Sequence, residues 1–163
     1  MTQQNLFIFD LDSTLANIDH RLPYKESRDD PQGEFNLRCV DDAPIPHMLD
    51  LFAILVNAGN LCWIWTGRTE AVRYQTEEWL ITQLQSGHRG MGRNRPVVTV
   101  QNGLRMRPVG NTIPDHILKL NWLAEFIQNP VAKLQCAFDD RDRVVAMYRE
   151  HGVPCLQVAP GNF

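Results

Sequence analysis

Leu6-Phe7-Ile8-Phe9-Asp10-Leu11-Asp12-Ser13-Thr14 runs four apolar residues straight into two carboxylates. A short, uninterrupted apolar run of this kind reads as a strand buried on both faces. Two Asp side chains two residues apart point opposite ways in a continuing strand. Just past a strand end the backbone is able to turn and aim both at one spot.

The pattern recurs outward from there. Leu61-Cys62-Trp63-Ile64-Trp65 is a second buried strand, ending at Thr66-Gly67-Arg68. Leu134 to Phe138 is another, ending at Asp139-Asp140, and Cys155 to Val158 is the last. Val97 to Val100 and Leu104 to Met106 are β-like, with the turn signal Asn102-Gly103 between them. Helical patterns alternate with these runs. One follows Pro46, with Met48, Leu49, Phe52, Leu55 and Val56 at helical spacing and Gly59 as its stop. A second runs from Thr69 or Glu70 to about Leu84. A third starts at Pro114 and carries Ile117, Leu118, Trp122, Leu123 and Phe126. A fourth runs from Arg141 to His151 and closes at Gly152. Residues 13 to 45 are polar and rich in turn formers, and residues 85 to 95 form a Gly/Arg loop in which Gly87 to Gly92 reads as a linker.

Short strands separated by single helices predict an α/β fold, a mostly parallel sheet flanked by helices, as one domain over 1–163. Such sheets bind ligands beyond the carboxyl ends of their strands. Those ends are occupied here by Asp10/Asp12, Thr66/Arg68 and Asp139/Asp140. Carboxylates about 4 Å apart repel by roughly 4 kcal/mol per pair at an effective dielectric of 20, so gathering three or four of them calls for a cation. An all-oxygen site with few protein ligands suits magnesium, which keeps several waters and takes phosphate oxygens as ligands. Taken singly, each Asp pair reads better as a turn former or helix cap, and only the set together points to a cation site. Thr66-Gly67-Arg68 after a strand and before a helix is an anion site in form and an ordinary N-cap in frequency. Lys119 follows Asp115 by one helical turn, so the Asp115 carboxylate is placed to orient it.

The 163 residues carry 44% hydrophobic and 21% charged side chains with a net charge of −3. That composition suits one globular domain and excludes a protein that is basic throughout. Cys39, Cys62, Cys136 and Cys155 have neither CxxC nor zinc spacing, and are expected to be reduced core thiols of a cytoplasmic protein. The N-terminal MTQQN has no basic segment leading into a long apolar stretch, so neither a signal peptide nor membrane attachment is expected.

Phe7-Ile8-Phe9-Asp10-Leu11-Asp12-Ser13-Thr14-Leu15 resembles the first motif of the haloacid dehalogenase (HAD) phosphatases, DxD followed by T. Ile64-Trp65-Thr66-Gly67-Arg68 resembles the second, Lys119 the third and Phe138-Asp139-Asp140 the fourth. A closer likeness is to the 3′-phosphatase domains of the T-even bacteriophage polynucleotide kinase/phosphatases. It rests on Arg21-Leu22-Pro23-Tyr24, on Asp115 with Lys119, on the stretch from Phe138 to Arg149, and on the ending Cys155-Leu-Gln-Val-Ala-Pro-Gly-Asn-Phe163.

The resemblance implies a magnesium-dependent phosphatase of phage origin, placed in the host cytoplasm. It implies Asp10 as nucleophile and Asp12 as general acid and base. Magnesium would be held by Asp10, the Asp12 carbonyl and one or both of Asp139 and Asp140. Thr66, Gly67 and Lys119 would bind the phosphoryl group, Arg21 and Arg68 would lie near the substrate, and Asp115 would support Lys119. Ser13 stands where the family pattern usually has Gly, and His116 where an acid is common. No GxxxxGK[ST] segment occurs, so any kinase or ligase activity is expected on a separate partner.

No Asp or Glu occurs between Trp79 and Pro114, a stretch holding His88, Arg89, Arg93, Arg95, Arg105 and Arg107. A basic segment in an acidic protein either guides a phosphate backbone or is simply solvated. Three functions follow: a phosphatase of 3′-phosphate ends of DNA or RNA, a phosphatase of free nucleotides, and a non-catalytic phospho-acceptor such as a response-regulator receiver. A receiver places its acceptor after a middle strand, where this chain has Asp50 in a predicted helix, and has no use for a second acid at Asp12.

Overall fold

The apolar runs pair side by side in one sheet. The computed structural model of the chain describes residues 4–25, 33–85, 100 and 102–161. Its strands are β1 (Asn5–Phe9), β2 (Ala16–Asn17), β3 (Ala43–Pro44), β4 (Leu61–Thr69), β5 (Leu104–Arg107), β6 (Lys133–Asp139) and β7 (Cys155–Gln157). Its α-helices are α1 (Leu22–Lys25), α2 (Glu34–Leu37), α3 (Pro46–Asn57), α4 (Arg73–Gln85), α5 (Asp115–Gln128) and α6 (Asp142–Glu150). Among the described residues the main sheet has five strands, in the order β5-β4-β1-β6-β7. Every pairing in it is parallel. The short strands β2 and β3 pair antiparallel in a separate ribbon.

The period-2 alternation of the strands sorts their side chains between two cores. Phe9, Cys62, Ile64 and Phe138 face α3 and α4, where they meet Leu49, Phe52 and Leu80. Leu6, Ile8, Trp65 and Ala137 face α5 and α6, where they meet Leu118, Trp122 and Tyr148. Phe9 stacks on Phe138 at 4.4 Å between ring centroids and meets Phe52 edge-on at 5.1 Å. Apolar residues are therefore needed on both faces of β1 from Leu6 to Phe9 and of β4 from Leu61 to Trp65, which is why these runs show no polar face.

The strand order reverses at β1: the chain winds outward through β4 to β5, then returns to the other side of β1 through β6 and β7. The crevice at such a reversal is where doubly wound sheets bind ligands. Asp10 follows β1, and Asp139 ends β6, so both carboxylates stand at that point.

Three expectations are corrected. Asn102-Gly103 is not a hairpin turn, because Val100, Asn102 and Gly103 are helical and lead into β5, which is parallel to β4. The glycine serves a close approach instead: a Cβ there would lie 2.6 Å from Trp63 Cδ1 and 3.2 Å from the Cys62 carbonyl oxygen. Strand β4 does not stop at Trp65. It continues to Thr69 because pairing with β5 resumes at Thr69–Arg107 after an irregular stretch. The following helical turn accordingly opens at Glu70, and Thr66-Gly67-Arg68 is not a helix N-terminus. The region read as turns between 13 and 45 carries β2, β3 and short helical turns. The Gly87 to Gly92 linker, the strand residues 97–99, and His88, Arg89, Arg93 and Arg95 lie outside the described residues.

Among the described residues no helix is long and apolar enough to cross a membrane. The four cysteines are unpaired. Burial pushes the Cys62 and Cys155 thiols up to about 12, which keeps them as inert core residues.

Candidate active site

A tight turn converts the sequence DxD into two converging carboxylates. The Leu11 carbonyl accepts N–H groups from Thr14, Leu15 and Ala16, at 3.2, 2.8 and 2.9 Å. Ser13 adopts φ 61° in this turn, the left-handed region that favours glycine. Both Asp10 and Asp12 then line one cleft of about 280 Å3, together with Lys25, Gly67, Arg107 and Arg141 among others.

Asp10 meets the acids of β6 through a buried lysine. Lys119 Nζ donates to Asp10 Oδ1 at 2.6 Å and to Asp139 Oδ2 at 2.7 Å. Asp139 Oδ1 accepts the Arg141 N–H at 3.1 Å. Burial alone would lower the Lys119 pKa, but Asp10 and Asp139 outweigh it and hold the ammonium well above the usual lysine range. Burial, reinforced by Asp139, Asp140 and Asp12 and opposed by Lys119, pushes Asp10 well above the ordinary carboxylate range. Burial and then Asp139 push Asp140 up to about 7.

This arrangement fits a divalent cation. Asp10, Asp139 and Asp140 each offer an oxygen within 4.8 Å of the others. Three carboxylates against one ammonium leave two negative charges, the complement of one divalent ion. Both Asp140 oxygens are buried and have no hydrogen-bond partner among the described residues. An orphaned buried carboxylate is costly, and a metal is one of the few partners that would satisfy both oxygens. The donors are all oxygen, as magnesium requires.

Asp12 sits in a different environment. Arg21 Nη2 donates to Asp12 Oδ1 at 2.7 Å, and Arg68 Nε donates to the same oxygen at 2.8 Å. Burial would raise Asp12, but Arg68 and Arg21 hold it below its usual value. Both guanidinium groups are buried and share a second acid, Asp42. Arg21 Nε donates to Asp42 Oδ1 at 2.7 Å, and Arg68 Nη2 donates to Asp42 Oδ2 at 2.5 Å. His20 Nε2 lies 2.8 Å from Asp42 Oδ1, and the Trp79 indole donates to the Asp42 carbonyl at 2.8 Å. Two cations and two anions thus form a balanced buried square with Asp12 at the cleft side.

The remaining predicted residues fall as follows. Thr66 is buried and its hydroxyl accepts the Arg68 N–H at 3.1 Å. Gly67 lines the cleft, where a Cβ would lie 2.7 Å from Asp115 Oδ1. Asp115 hydrogen-bonds Arg107 and Arg141, so Lys119 is oriented by Asp10 and Asp139, not by Asp115. Arg107 also donates to the Gly67 carbonyl at 3.1 Å. Arg105, two residues earlier on the same face of β5, pairs instead with Glu125, farther along α5, at 2.8 Å. Sequence reasoning missed Asp42 and the Asp115 pairing of Arg107 and Arg141. The one available signal for Asp42 was charge: two arginines assigned to one site demand more anion than Asp12 supplies.

Comparison with known proteins agrees with this geometry. The family model for the polynucleotide kinase PNKP phosphatase domain matches residues 4–163. A solved structure of a Pnkp1/Rnl/Hen1 complex is similar at 26% identity and TM-score 0.75, covering 99% of this chain and 47% of that one. A structure of the Pnkp1/Rnl/Hen1 RNA repair complex is similar at 24% identity and TM-score 0.73, covering 99% and 44%. The Mycobacterium tuberculosis protein tyrosine kinase A shares the fold at 16% identity and TM-score 0.59, covering 99% of this chain and 88% of that one. The chain spans less than half the length of the chain it matches in each of the two Pnkp1/Rnl/Hen1 complexes.

A doubly wound sheet with this acid-lysine constellation at its reversal point defines a phosphatase of the HAD type. Within that class, the chain belongs to the family of polynucleotide kinase PNKP phosphatase domains.

Proposed function

We propose that this chain is a magnesium-dependent phosphomonoesterase that removes 3′-phosphates from nucleic-acid ends through an aspartyl-phosphate on Asp10. The observation that carries the reading is the pair of environments two residues apart. Asp10 lies among the acids and Lys119, while Asp12 is fixed by two buried arginines at the same cleft.

An Asp10 oxygen attacks phosphorus, and the bond from phosphorus to the ester oxygen breaks. Asp12 supplies the proton to the departing alkoxide. Arg21 and Arg68 keep the Asp12 carboxylate ionised in the free protein, so an incoming phosphate dianion has to raise its proton affinity before it acts as an acid. In the second half, ionised Asp12 takes a proton from water as the water oxygen bonds to phosphorus, and Asp10 leaves with inorganic phosphate formed. Lys119 neutralises charge between nucleophile and phosphoryl group, and Thr66 and Gly67 shape the floor that receives phosphoryl oxygens. Magnesium, held by Asp10, the Asp12 carbonyl and Asp139 or Asp140, would supply positive charge against the transferring group. Arg21 and Arg68 act on substrate through Asp12, and Asp115 sets Arg107 and Arg141 along the cleft wall.

The substrate reading rests on the family and on the cations Lys25, Arg107 and Arg141 that line the cleft. One of the similar complexes is named for RNA repair, which favours a role in end repair beside separate kinase or ligase activities, in a single catalytic domain over 1–163. Asp50, the position a receiver would phosphorylate, is exposed on α3 and is not among the residues lining the cleft. The test is magnesium-dependent phosphate release from a 3′-phosphorylated oligonucleotide, its 5′-phosphorylated counterpart, and free 3′- and 5′-nucleotides, with Asp10→Asn alongside. Preference for the 3′-oligonucleotide supports the reading. Preference for free nucleotides keeps the chemistry and moves the function to nucleotide turnover.

A further inference from the structure

The tail of the chain folds back over the turn that carries Asp139 and Asp140. Gln157 Nε2 donates to the Asp140 carbonyl at 2.9 Å and to Asp142 Oδ1 at 2.6 Å. The Val158 N–H donates to the Asp139 carbonyl at 3.1 Å, and the Asp142 N–H donates to the Gly161 carbonyl at 2.9 Å. Gly161 is buried against the same turn. A Cβ there would lie 2.5 Å from the Asp140 carbonyl carbon and 2.7 Å from Arg141 Cα, so no larger residue fits without moving the backbone.

None of these bonds uses a carboxylate of Asp139 or Asp140. Asp139 is satisfied by Lys119 and the Arg141 N–H, and among the described residues the Asp140 carboxylate has no hydrogen-bond partner. With no bond of its own, the Asp140 carboxylate is located by its backbone alone, and the tail holds that backbone. Magnesium demands near-ideal geometry with oxygens at about 2.0–2.1 Å, so a small displacement of the turn is felt at the ion.

We infer that Gln157 and Gly161 are positioning residues that set the affinity of the Asp10, Asp139 and Asp140 cluster for a divalent cation by clamping the backbone of the 139–142 turn. The inference rests on the metal-centre reading proposed above. Gln157 is exposed, so its truncation opens no core cavity. Its contribution is these two bonds and not packing.

The experiment compares wild type, Gln157→Ala and Gly161→Ala as the full chain. Mn2+ binding is measured by electron paramagnetic resonance without substrate, and the magnesium dependence of phosphate release is measured in parallel. Outer-sphere changes typically cost ~10–100-fold in metal affinity; bonds one step further out are expected to cost ~3–10-fold for Gln157→Ala and more for Gly161→Ala. The half-saturating magnesium concentration rises to match, kcat at saturating magnesium returns to the wild-type value, and the metal-free melting temperature of Gln157→Ala is unchanged. Wild-type Mn2+ affinity in Gln157→Ala overturns the inference, as does a kcat loss that excess magnesium does not rescue. A wild type that binds no Mn2+ overturns the metal-centre reading itself, an outcome separate from either of these.

Discussion

Replacing Asp42 by Asn removes one charge from the buried square and leaves the shape intact. Arg21 and Arg68 then depend on Asp12 alone, and one buried positive charge is unpaired. Each guanidinium lies within 2.5–2.8 Å of an Asp42 oxygen. Coulomb's law at an effective dielectric of 20 gives about 4 kcal/mol for one pair at 4 Å, but relief of the Asp42 desolvation cost offsets part of that. Removing one partner of a buried pair costs about 3–5 kcal/mol in practice. For a domain of this size that is a fall of roughly 6–20 °C in melting temperature.

The same change alters the chemistry. Asp12 then faces both arginines without a competitor, its proton affinity falls further, and less of it carries the proton that the leaving group needs. Alkyl phosphates, whose leaving group needs that proton, are expected to lose on the order of tenfold more rate than p-nitrophenyl phosphate, whose leaving group does not. Thermal melts and paired kinetics on the two substrate types check both parts. The charge-balanced double variant Arg21→Met with Asp42→Leu restores the net charge facing Asp12 and is expected to recover much of the stability and part of the alkyl-phosphate rate. An Asp42→Asn protein that melts with wild type, or that loses both substrates equally, refutes the reasoning.

The metal-free protein is expected to lose stability as pH rises through about 7, since Asp140 holds its proton more tightly folded than unfolded, where its value is near 3.8. Its contribution is complete below the unfolded value and is gone above the folded one. Melts in EDTA between pH 5.5 and 8 show this slope, Asp140→Asn flattens it, and added magnesium removes it by replacing the proton. Ser13→Gly relieves a left-handed residue worth about 1–2 kcal/mol, less the extra freedom of glycine when unfolded, for a net gain of roughly 0.5–1 kcal/mol in urea denaturation. Gly67→Ala pushes on the Asp115 carboxylate that holds Arg107 and Arg141. It is expected to lower kcat/KM on the oligonucleotide by on the order of tenfold while the melting temperature stays within a few degrees, as judged by steady-state kinetics.

Sequence alone determined the features whose cause is local. Leu6 to Phe9 and Leu61 to Trp65 are strands because unbroken apolar runs of that length suit a sheet covered on both sides, and Leu134 to Phe138 follows the same pattern broken only at Gln135. Asp10, Asp12, Asp139 and Asp140 were legible because each follows such a run directly, and a parallel sheet delivers all its strand ends to one edge. Lys119 was legible as a site residue by its resemblance, but not by its partners.

The tertiary structure decided what depends on residues distant in the chain. Asp42 joins Arg21, 21 residues away, and Arg68, 26 residues away, in a buried ion square that no local pattern announces. Asp115 turned from Lys119 to Arg107 and Arg141 because those arginines arrive on β5 and on the turn after β6. Asn102-Gly103 resembled a hairpin until the packing of Gly103 on Trp63 gave the glycine another use. Local pattern reports which backbone a segment prefers. Which charges meet is set by strand order and by the cost of burying an ion without a partner, and both exist only once the chain is folded.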